Sequence, residues 1–354
     1  MDYIYKRVIV TGGAGFIGGN LIRKLLLDSE IKVLNIDKLS YASDLSSINS
    51  IKYHPKRYKH IILDLKNKLK IESIVNDFRP DLIIHLAAES HVDRSLEDPS
   101  IFIESNIIGT FNLVQSSYIY WKGLSPIKKN IFKFIHVSTD EVFGSLGEKG
   151  YFSEGSKYFP SSPYSASKAS SDHIVNAWYQ SYDFPAIVSN CSNNYGPYQF
   201  PEKLIPHTIL NCLKSSPIPL YGQGNNIRDW LFVEDHINAL ILISQKGKIG
   251  ENYCIGGNSE RTNLQVVNEI CIILDNLLNE EFSFAKLIKF VKDRPGHDKR
   301  YAINSAKIKN ELGWEPKYKF KDGIEKTVKW YVTNQKWLNE IIKRSNYKGK
   351  RLGL

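Results

Sequence analysis

A glycine-rich turn near the N-terminus constrains the fold of this chain more than any other stretch. Arg7 to Thr11 form an apolar run typical of a buried strand. Residues 12–19 follow as Gly-Gly-Ala-Gly-Phe-Ile-Gly-Gly, and Asn20 to Leu27 form an amphipathic segment typical of a helix. In such a unit, the backbone of the turn approaches a pyrophosphate, which lies at the positive end of the helix. The spacing G-x-x-G-x-x-G in this context predicts a dinucleotide-binding unit.

The acid that follows the second strand indicates which dinucleotide is bound. A strand is predicted from Ile31 to Ile36, and it ends at Asp37, 19 residues after Gly18. An acid at this position accepts hydrogen bonds from an adenosine ribose. Because a carboxylate would repel a 2′-phosphate, the sequence favours NAD over NADP.

Strand-like and helical stretches then alternate along the chain. Further strands are predicted at 60–63, 81–86, 132–137 and 186–188, and long helices at 99–121 and 164–182. This alternation predicts an α/β fold of the Rossmann-like, doubly wound type, in which helices cover both faces of a parallel sheet. Sites in such sheets lie at the carboxyl ends of the strands.

Four ionisable residues fall at or near those ends. Tyr164 and Lys168 are four residues apart, so they share one face of the predicted helix at 164–182. The pair occurs by chance in many helices, but an adjacent ammonium would lower the pKa of the phenol and make it a usable base. Asp140 and Glu141 follow the strand at 132–137, a place where acids are also common as helix caps. A base, a cation and two acids together indicate proton-transfer chemistry.

The pattern changes after residue 190, where turns become frequent. Residues 1–190 are expected to form an NAD-binding domain, to which a segment at about 226–245 returns. Residues 191–225 and 246–340 are expected to form a smaller, sequence-interleaved substrate-binding lobe, and residues 341–354 a basic tail.

Composition limits the class of protein. The chain is 42% hydrophobic and 24% charged, as in ordinary globular proteins. Its four cysteines and nine histidines show no metal-ligand spacing, so we expect reduced thiols, a cytoplasmic location and no metal site. The net charge is +10, and five of the positive side chains follow Glu340. They are Lys343, Arg344, Lys348, Lys350 and Arg351. A basic tail can bind nucleic acid or anionic lipid, but a solvated terminus is the simpler expectation.

Longer motifs connect the chain to a known family. The glycine turn, Asp37 and the Tyr164–Lys168 pair resemble the extended short-chain dehydrogenase/reductase superfamily that acts on nucleotide sugars. Five further segments, at 86–95, 138–144, 192–206, 226–230 and 293–298, resemble the dTDP-glucose 4,6-dehydratase family. The resemblance extends from about Arg7 to Trp330. Phe143 departs from it, since the family usually has tyrosine there, and we interpret that position as structural.

The resemblance implies a lyase that converts dTDP-glucose to dTDP-4-keto-6-deoxyglucose and water. Tyr164 would take the proton of the sugar O4 while NAD accepts hydride from C4, with Lys168 holding the phenolate and the nicotinamide ribose. Thr139 would hydrogen-bond O4. Glu141 would remove the C5 proton, Asp140 would protonate the departing 6-hydroxyl, and the hydride would return to C6. One acid must start ionised and the other protonated.

The resemblance also implies the binding residues. The cofactor would contact Gly12, Gly15, Phe16, Ile17, Gly18, Asp37, Lys38, Leu39, Ser40, Asp64, Leu65, Leu86, Ala87, Ala88, Glu89, Ser90, Ser105, Tyr164, Lys168 and Asn194. The substrate would contact Ser90, Thr139, Asn193, Lys203, Leu204, Pro219, Leu220, Tyr221, Arg228, Asn263, Asp293, Arg294, Pro295, Gly296 and His297. For Arg228 and Arg294, ion pairs with Asp229 and Asp293 are equally consistent with the sequence. A homodimer joined through the helices at 99–121 and 164–182 is expected, with no nucleic-acid or membrane partner.

Three alternatives remain open on the sequence alone. A UDP-glucose 4,6-dehydratase differs in its nucleotide by one methyl group, which the sequence does not resolve. A nucleotide-sugar 4-epimerase is disfavoured because epimerases of the superfamily lack the pair Asp140–Glu141. A non-catalytic NAD-binding regulator that reads nucleic acid through the basic tail is disfavoured because the tyrosine, the lysine and both acids are present.

Overall fold

The computed structural model describes residues 4–52, 55–278 and 282–349. The strands are β1 (Arg7–Thr11), β2 (Lys32–Asp37), β3 (Tyr58–Ile62), β4 (Leu82–His85), β5 (Lys133–Thr139), β6 (Ala186–Cys191), β7 (Asn193–Tyr195), β8 (Ile218–Tyr221), β9 (Ile227–Phe232), β10 (Asn252–Ile255), β11 (Glu260–Thr262) and β12 (Ile288–Val291). The helices are α1 (Phe16–Asp28), α2 (Ser46–Asn49), α3 (Lys68–Phe78), α4 (Val92–Glu97), α5 (Pro99–Phe102), α6 (Gly109–Lys122), α7 (Pro126–Ile131), α8 (Pro163–Tyr182), α9 (Leu204–Leu213), α10 (Val233–Lys246), α11 (Asn263–Leu278), α12 (Ala306–Leu312), α13 (Phe320–Thr333) and α14 (Gln335–Ser345).

Seven parallel strands form the central sheet, in the order β10-β6-β5-β4-β1-β2-β3. The chain reverses its winding direction between β1 and β4, where a doubly wound sheet opens a crevice at the carboxyl ends of its strands. The pairing aligns these ends: Thr11 lies opposite both Ile36 and His85, and Thr139 lies opposite Cys191. The predicted Rossmann-like, doubly wound parallel sheet is therefore confirmed.

A smaller lobe has its own hydrophobic core. It contains the sheets β11-β9-β7 and β12-β8. Helices α9, α11 and α13 bury Ile209, Ile270 and Val328 together in this second core. The lobe begins at the carboxyl edge of the central sheet, because β7 follows directly from the end of β6.

The expected boundary between the lobes differs from the observed packing at two places. β10 was expected in the smaller lobe, but it pairs with β6 at the edge of the central sheet. Its residues Tyr253, Cys254 and Ile255 are fully buried there, which explains why so short a strand belongs to the main layer. In the segment at 226–245, α10 packs on the main core through residues such as Leu240, whereas β9 lies in the three-stranded sheet.

Two helical stretches also differ from expectation. The predicted helix at 99–121 is interrupted by a π-helical segment, Ile103–Ile108, between α5 and α6. The expected basic tail starts as helix, because α14 continues to Ser345, while Lys350 and Arg351 lie outside the described residues.

Phe143 packs against Phe152 and Tyr158, with ring centroids 5.2 Å apart in each pair, so this position is structural as expected.

Candidate active site

The glycine turn brings three pieces of backbone into close contact. Gly12 has a φ of +71°, and a Cβ there would lie 2.6 Å from the backbone nitrogen of Ala87, at the end of β4. A Cβ on Gly18 would lie 2.3 Å from the carbonyl oxygen of Gly12. α1 begins after Gly15. Because glycine has no side chain, no capping group occupies the first N–H groups of α1. The turn therefore presents backbone N–H groups that can receive an anion such as a pyrophosphate.

Asp37 holds the loop that follows β2. Its carboxylate accepts hydrogen bonds from the backbone N–H of Ala14 at 3.0 Å, from that of Leu39 at 2.8 Å and from the Ser43 hydroxyl at 3.1 Å. Asp37 is 7% exposed, at the mouth of the crevice. Asp37, which we expect to bind the adenosine ribose, therefore also fixes the conformation of the backbone around it. Leu39 adopts a left-handed conformation, with a φ of +56°, to make this turn.

A cleft of about 310 Å³ follows the carboxyl edge of the sheet. Its walls include every predicted cofactor residue except Leu39. They also include residues that were not predicted as site residues: Ile36, Ala42, Ser43, Leu63, Val137, Ser138, Cys191, Ser192, Gln199, Phe200 and Glu202. The crowded glycines, the open helix terminus and the acid after β2 fit an NAD molecule.

The π-helical segment supplies one wall of this cleft. Asn106 accepts a hydrogen bond from the N–H of Glu89 at 2.8 Å and donates to the Ser167 hydroxyl at 2.9 Å. Ser105 lies beside Lys38, whose ammonium also forms an ion pair with Glu89 at 2.7 Å. Within this segment, Ser105 lines the cleft, and π-helical turns are frequent at functional sites.

Tyr164 lies in the first turn of α8, which starts with a capping box between Ser162 and Ser165. Lys168 follows one turn later and donates a hydrogen bond from its ammonium to the Val137 carbonyl at 2.9 Å. The pKa of Tyr164 is raised, first by burial and then by Glu141 and Cys191, while a hydrogen bond from Thr139 opposes the rise. The expectation that the pKa of Tyr164 lies below its usual value is therefore wrong. Burial outweighs the lysine, which is directed at the backbone of β5.

The two acids stand in different environments. Burial raises the pKa of Asp140 well above its usual range, and repulsion from Glu141 and Asp229 adds to the rise. Burial also raises the pKa of Glu141, but the cations Arg294, Lys203 and Arg228 oppose this. Oδ2 of Asp140 has no hydrogen-bond partner among the described residues. Asp140 is therefore suited to donate a proton, and Glu141 to carry a negative charge.

Thr139 connects this acidic pair with the tyrosine. It is the last residue of β5, and its hydroxyl lies 3.3 Å from Asp140 Oδ1 and accepts the N–H of Glu141 at 3.3 Å. Glu141 lines the cleft together with Thr139, Tyr164 and Lys168, whereas Asp140 lies behind that surface. All five predicted catalytic residues thus gather at the ends of β5 and α8.

A buried carboxylate one turn beyond Lys168 supports this group. Asp172 is fully buried and accepts hydrogen bonds from Ser138 at 2.8 Å, Tyr158 at 2.9 Å and Asn190 at 3.2 Å. Burial lowers the pKa of Lys168, and the charge of Asp172 opposes that loss. The sequence analysis did not name Asp172, although its spacing from Tyr164 and Lys168 places all three on one helix face.

The predicted substrate residues divide into two groups. Ser90, Thr139, Asn193 and Lys203 line the cleft, and the ammonium of Lys203 donates to the carbonyl of Ser90 at 2.8 Å. The others lie outside the cleft walls: Leu204, Pro219, Leu220, Tyr221, Arg228, Asn263, Asp293, Arg294, Pro295, Gly296 and His297. Oδ1 of Asn193 is buried without a hydrogen-bond partner among the described residues.

Both arginines differ from the ion pairs that the sequence offered as an alternative. Arg228 donates to the carbonyls of Ile227 at 2.7 Å and Asp298 at 2.9 Å rather than to Asp229. Arg294 forms an ion pair at 2.7 Å with Asp93, across the two lobes, and Asp293 contacts His297 at 2.6 Å. Asp93 is far from Arg294 in sequence, so no local pattern could have indicated this pair.

Comparison with known proteins is consistent with this geometry. Residues 9–327 match the family model described as GDP-mannose 4,6 dehydratase. The chain belongs to the GDP-mannose 4,6 dehydratase family. Within this family, it is 51% identical over 348 residues to a probable dTDP-glucose 4,6-dehydratase of Sinorhizobium fredii, covering 98% of this chain and 99% of the relative.

Two solved structures of family members have the same fold. A dTDP-glucose 4,6-dehydratase from Bacillus anthracis, solved in complex with NAD, matches with a TM-score of 0.83 and 43% identity. One from Streptomyces venezuelae, solved with NAD and TYD bound, matches with a TM-score of 0.85 and 38% identity. Each comparison covers 95% of this chain and 99% of the other. The family resemblance inferred from the motifs is confirmed.

Proposed function

We propose that this protein is a dTDP-glucose 4,6-dehydratase, an NAD-dependent hydro-lyase that forms dTDP-4-keto-6-deoxyglucose and water. The observation that carries the proposal is the acidic pair after β5. Asp140 is buried and favours its protonated form, while Glu141 faces the cleft beside three cations. This separation supplies one acid and one base within reach of the tyrosine, as dehydration of a sugar requires.

The cofactor is NAD, which supplies the oxidant for C4 and the reductant for C6 within one turnover. The glycine turn and α1 would hold its pyrophosphate, and Asp37 its adenosine ribose. We assign the NAD-binding role to the cofactor residues named above. A Cβ at Gly18 would remove this cradle, because it would meet the Gly12 carbonyl at 2.3 Å.

The residues of this chain divide the proton transfers among them. Tyr164 would accept the proton of the sugar O4 as its phenolate, and Thr139 would orient that oxygen through its hydroxyl. Burial alone disfavours the phenolate, and the positive charges of a bound NAD ring and of Lys168 would favour it. Lys168, held on the Val137 carbonyl, keeps positive charge beside the tyrosine. Once C4 is a ketone, the C5 hydrogen is acidic and Glu141 removes it. Asp140 then protonates the leaving 6-hydroxyl through its carboxyl proton. Each transfer uses a positioned general acid or base.

The substrate diphosphate and nucleoside would extend from Lys203 toward the smaller lobe. Arg228 and Arg294 both act electrostatically on Glu141, so they lie close to the sugar end of the cleft. Their planar guanidinium groups suit bidentate phosphate contacts. We infer that Arg228, Arg294 and His297 bind the diphosphate, with Asn263 and the β8 residues beside them.

We further propose a homodimer formed through the helices at 99–122 and 163–182. Four isoleucines on the first of these stretches, Ile101, Ile103, Ile108 and Ile119, are 43–46% exposed. Apolar side chains concentrated on one helical stretch are typical of an interface.

In the described part of the chain, no helix is long and apolar enough to cross a membrane, and no metal-binding cluster of His, Cys, Asp or Glu is present. The cytoplasmic location stays a prediction.

The proposal is tested by incubating the protein with dTDP-glucose and with UDP-glucose in parallel. Mass spectrometry should show a 4-keto-6-deoxy product, lighter than the substrate by one water, with dTDP-glucose as the preferred substrate. A product of unchanged mass would indicate epimerisation and contradict the proposal, and a preference for UDP-glucose would correct the nucleotide.

A further inference from the structure

The last described helix contacts the loop that follows Asp37. We call residues 38–45 the β2–α2 loop. Asp44 of this loop accepts hydrogen bonds from the indole N–H of Trp337 at 2.8 Å and from the guanidinium of Arg344 at 3.1 Å. Arg344 also donates to the carbonyl of Ser43. Two side chains of α14 thus hold two consecutive residues of a loop almost 300 residues earlier in the sequence.

The contacts continue from the loop to the cofactor cradle. The N–H of Asp44 donates to the carbonyl of Ala14 in the glycine turn at 2.6 Å. Ser43 donates to Asp37, and the N–H of Ala14 donates to the other oxygen of the same carboxylate. Ser43 itself lines the cleft. An unbroken chain of hydrogen bonds therefore connects α14 with the residue assigned to the adenosine ribose.

The charge at the centre of this network depends on its partners. Burial opposes ionisation of Asp44, but hydrogen bonds from Ser46 and Trp337, with the charge of Arg344, hold its pKa below the usual value. Asp44 is 8% exposed, so a lost partner would not be fully replaced by water. Removing one partner of a buried carboxylate leaves unmet hydrogen-bonding capacity and destabilises the conformation that buries it.

We propose that α14 is a cofactor-retention clamp, in which Trp337 and Arg344 act through Asp44 to hold the β2–α2 loop ready for the adenosine end of NAD. The proposal rests on NAD being the cofactor. A loop that is already fixed loses less conformational entropy when a ligand binds, so the ligand is held more tightly. Trp337 and Arg344 are positioning residues, since they act through the loop. Arg344, one of the five C-terminal basic residues, thereby has a proposed role within the fold.

The test compares two neutral substitutions on adjacent positions of α14. Arg344→Gln removes the contacts to Asp44 and Ser43, whereas Lys343→Gln removes an exposed charge for which no hydrogen bond or ion pair is found within the described chain. Full-length protein is stripped of NAD, and NAD affinity is measured by calorimetry and NAD release by rapid mixing. Arg344→Gln should weaken affinity about 3- to 10-fold, mainly through faster release, as expected for a half-exposed contact to a buried acid. Lys343→Gln should match the wild type, and Arg344→Lys should recover part of the loss.

Two further measurements separate a clamp from a merely structural helix. The unfolding temperature of the NAD-free variants and the KM for the sugar substrate at saturating NAD should change little. Equal NAD affinity of Arg344→Gln and Lys343→Gln would overturn the clamp, as would a lower unfolding temperature with unchanged NAD affinity. Wild-type protein that fails to bind NAD would instead overturn the cofactor assignment and the clamp together. No sugar takes part in the titration, so the result is independent of the reaction catalysed.

Discussion

Asp140→Asn separates the chemistry of the acidic pair from its contribution to folding. The amide has the size of a protonated carboxyl group and keeps an oxygen that can accept the hydrogen bond of Thr139. Because burial raises the pKa of Asp140 and favours its protonated form, the substitution replaces one neutral group with another. At about pH 4, near the unfolded pKa of aspartate, we expect the free energy of unfolding to fall by less than about 1 kcal/mol, since no buried charge is lost or left unpaired.

Catalysis should respond far more strongly. The amide cannot give a proton to the departing 6-hydroxyl, and loss of a positioned acid typically costs about 10²–10⁴-fold in rate. This corresponds to about 3–5 kcal/mol of activation free energy for elimination. Single-turnover experiments with mass analysis should show slow water loss, while the C5 hydrogen still exchanges in heavy water because Glu141 is intact. Glu141→Gln is the matched control, and it should abolish that exchange.

The pH dependence of stability gives a second readout of the same residue. The pKa of Asp140 is raised in the fold, so above its unfolded value the native chain keeps a proton that the unfolded chain has lost. Wild-type stability should therefore fall as the pH rises from about 4 toward the folded pKa. Asp140→Asn should remove this contribution, so its stability relative to the wild type should increase with pH. Normal turnover, or a variant that becomes relatively less stable as the pH rises, would refute a protonated Asp140.

Three other substitutions, one of them with a matched control, test the remaining parts of the site. Tyr164→Phe should fold and bind substrate but slow C4 oxidation about 10²–10⁴-fold, and near-normal single-turnover oxidation would show that Tyr164 is only a core residue. Asp37→Ala should weaken NAD binding in calorimetry and reduce the discrimination against NADP; wild-type protein that binds both equally would contradict the role of Asp37. Asp172→Asn should shift the alkaline limb of the pH–rate profile to lower pH, because the charge of Asp172 helps Lys168 to keep its proton. Tyr158→Phe, which removes one hydrogen bond to Asp172 and no charge, should leave that limb in place.

Local patterns were sufficient to predict the central layer and the edge on which the site lies. β1 has the predicted bounds, and Tyr164, Lys168 and the acidic pair meet where parallel strands end. These features depend on period, spacing and glycine geometry, all of which are properties of short segments.

Features that depend on contacts between distant segments were not predictable in the same way. The raised pKa of Tyr164 depends on burial by several elements, which outweighs its neighbour Lys168. The Asp93–Arg294 pair joins residues about 200 positions apart. The contacts of Asp44 with α14 join residues about 300 positions apart. β10 was placed in the wrong lobe because four apolar residues do not indicate which sheet they will join.

The central claim is that this chain removes water from its sugar substrate by moving hydrogen from C4 to C6. The most direct test uses dTDP-glucose deuterated at C4, with the position of the label in the product determined by NMR. We predict deuterium at C6 of a 4-keto-6-deoxy product, transferred within the same molecule and without net accumulation of NADH. Deuterium that remains at C4 would contradict the dehydratase assignment and the roles of both Asp140 and Glu141.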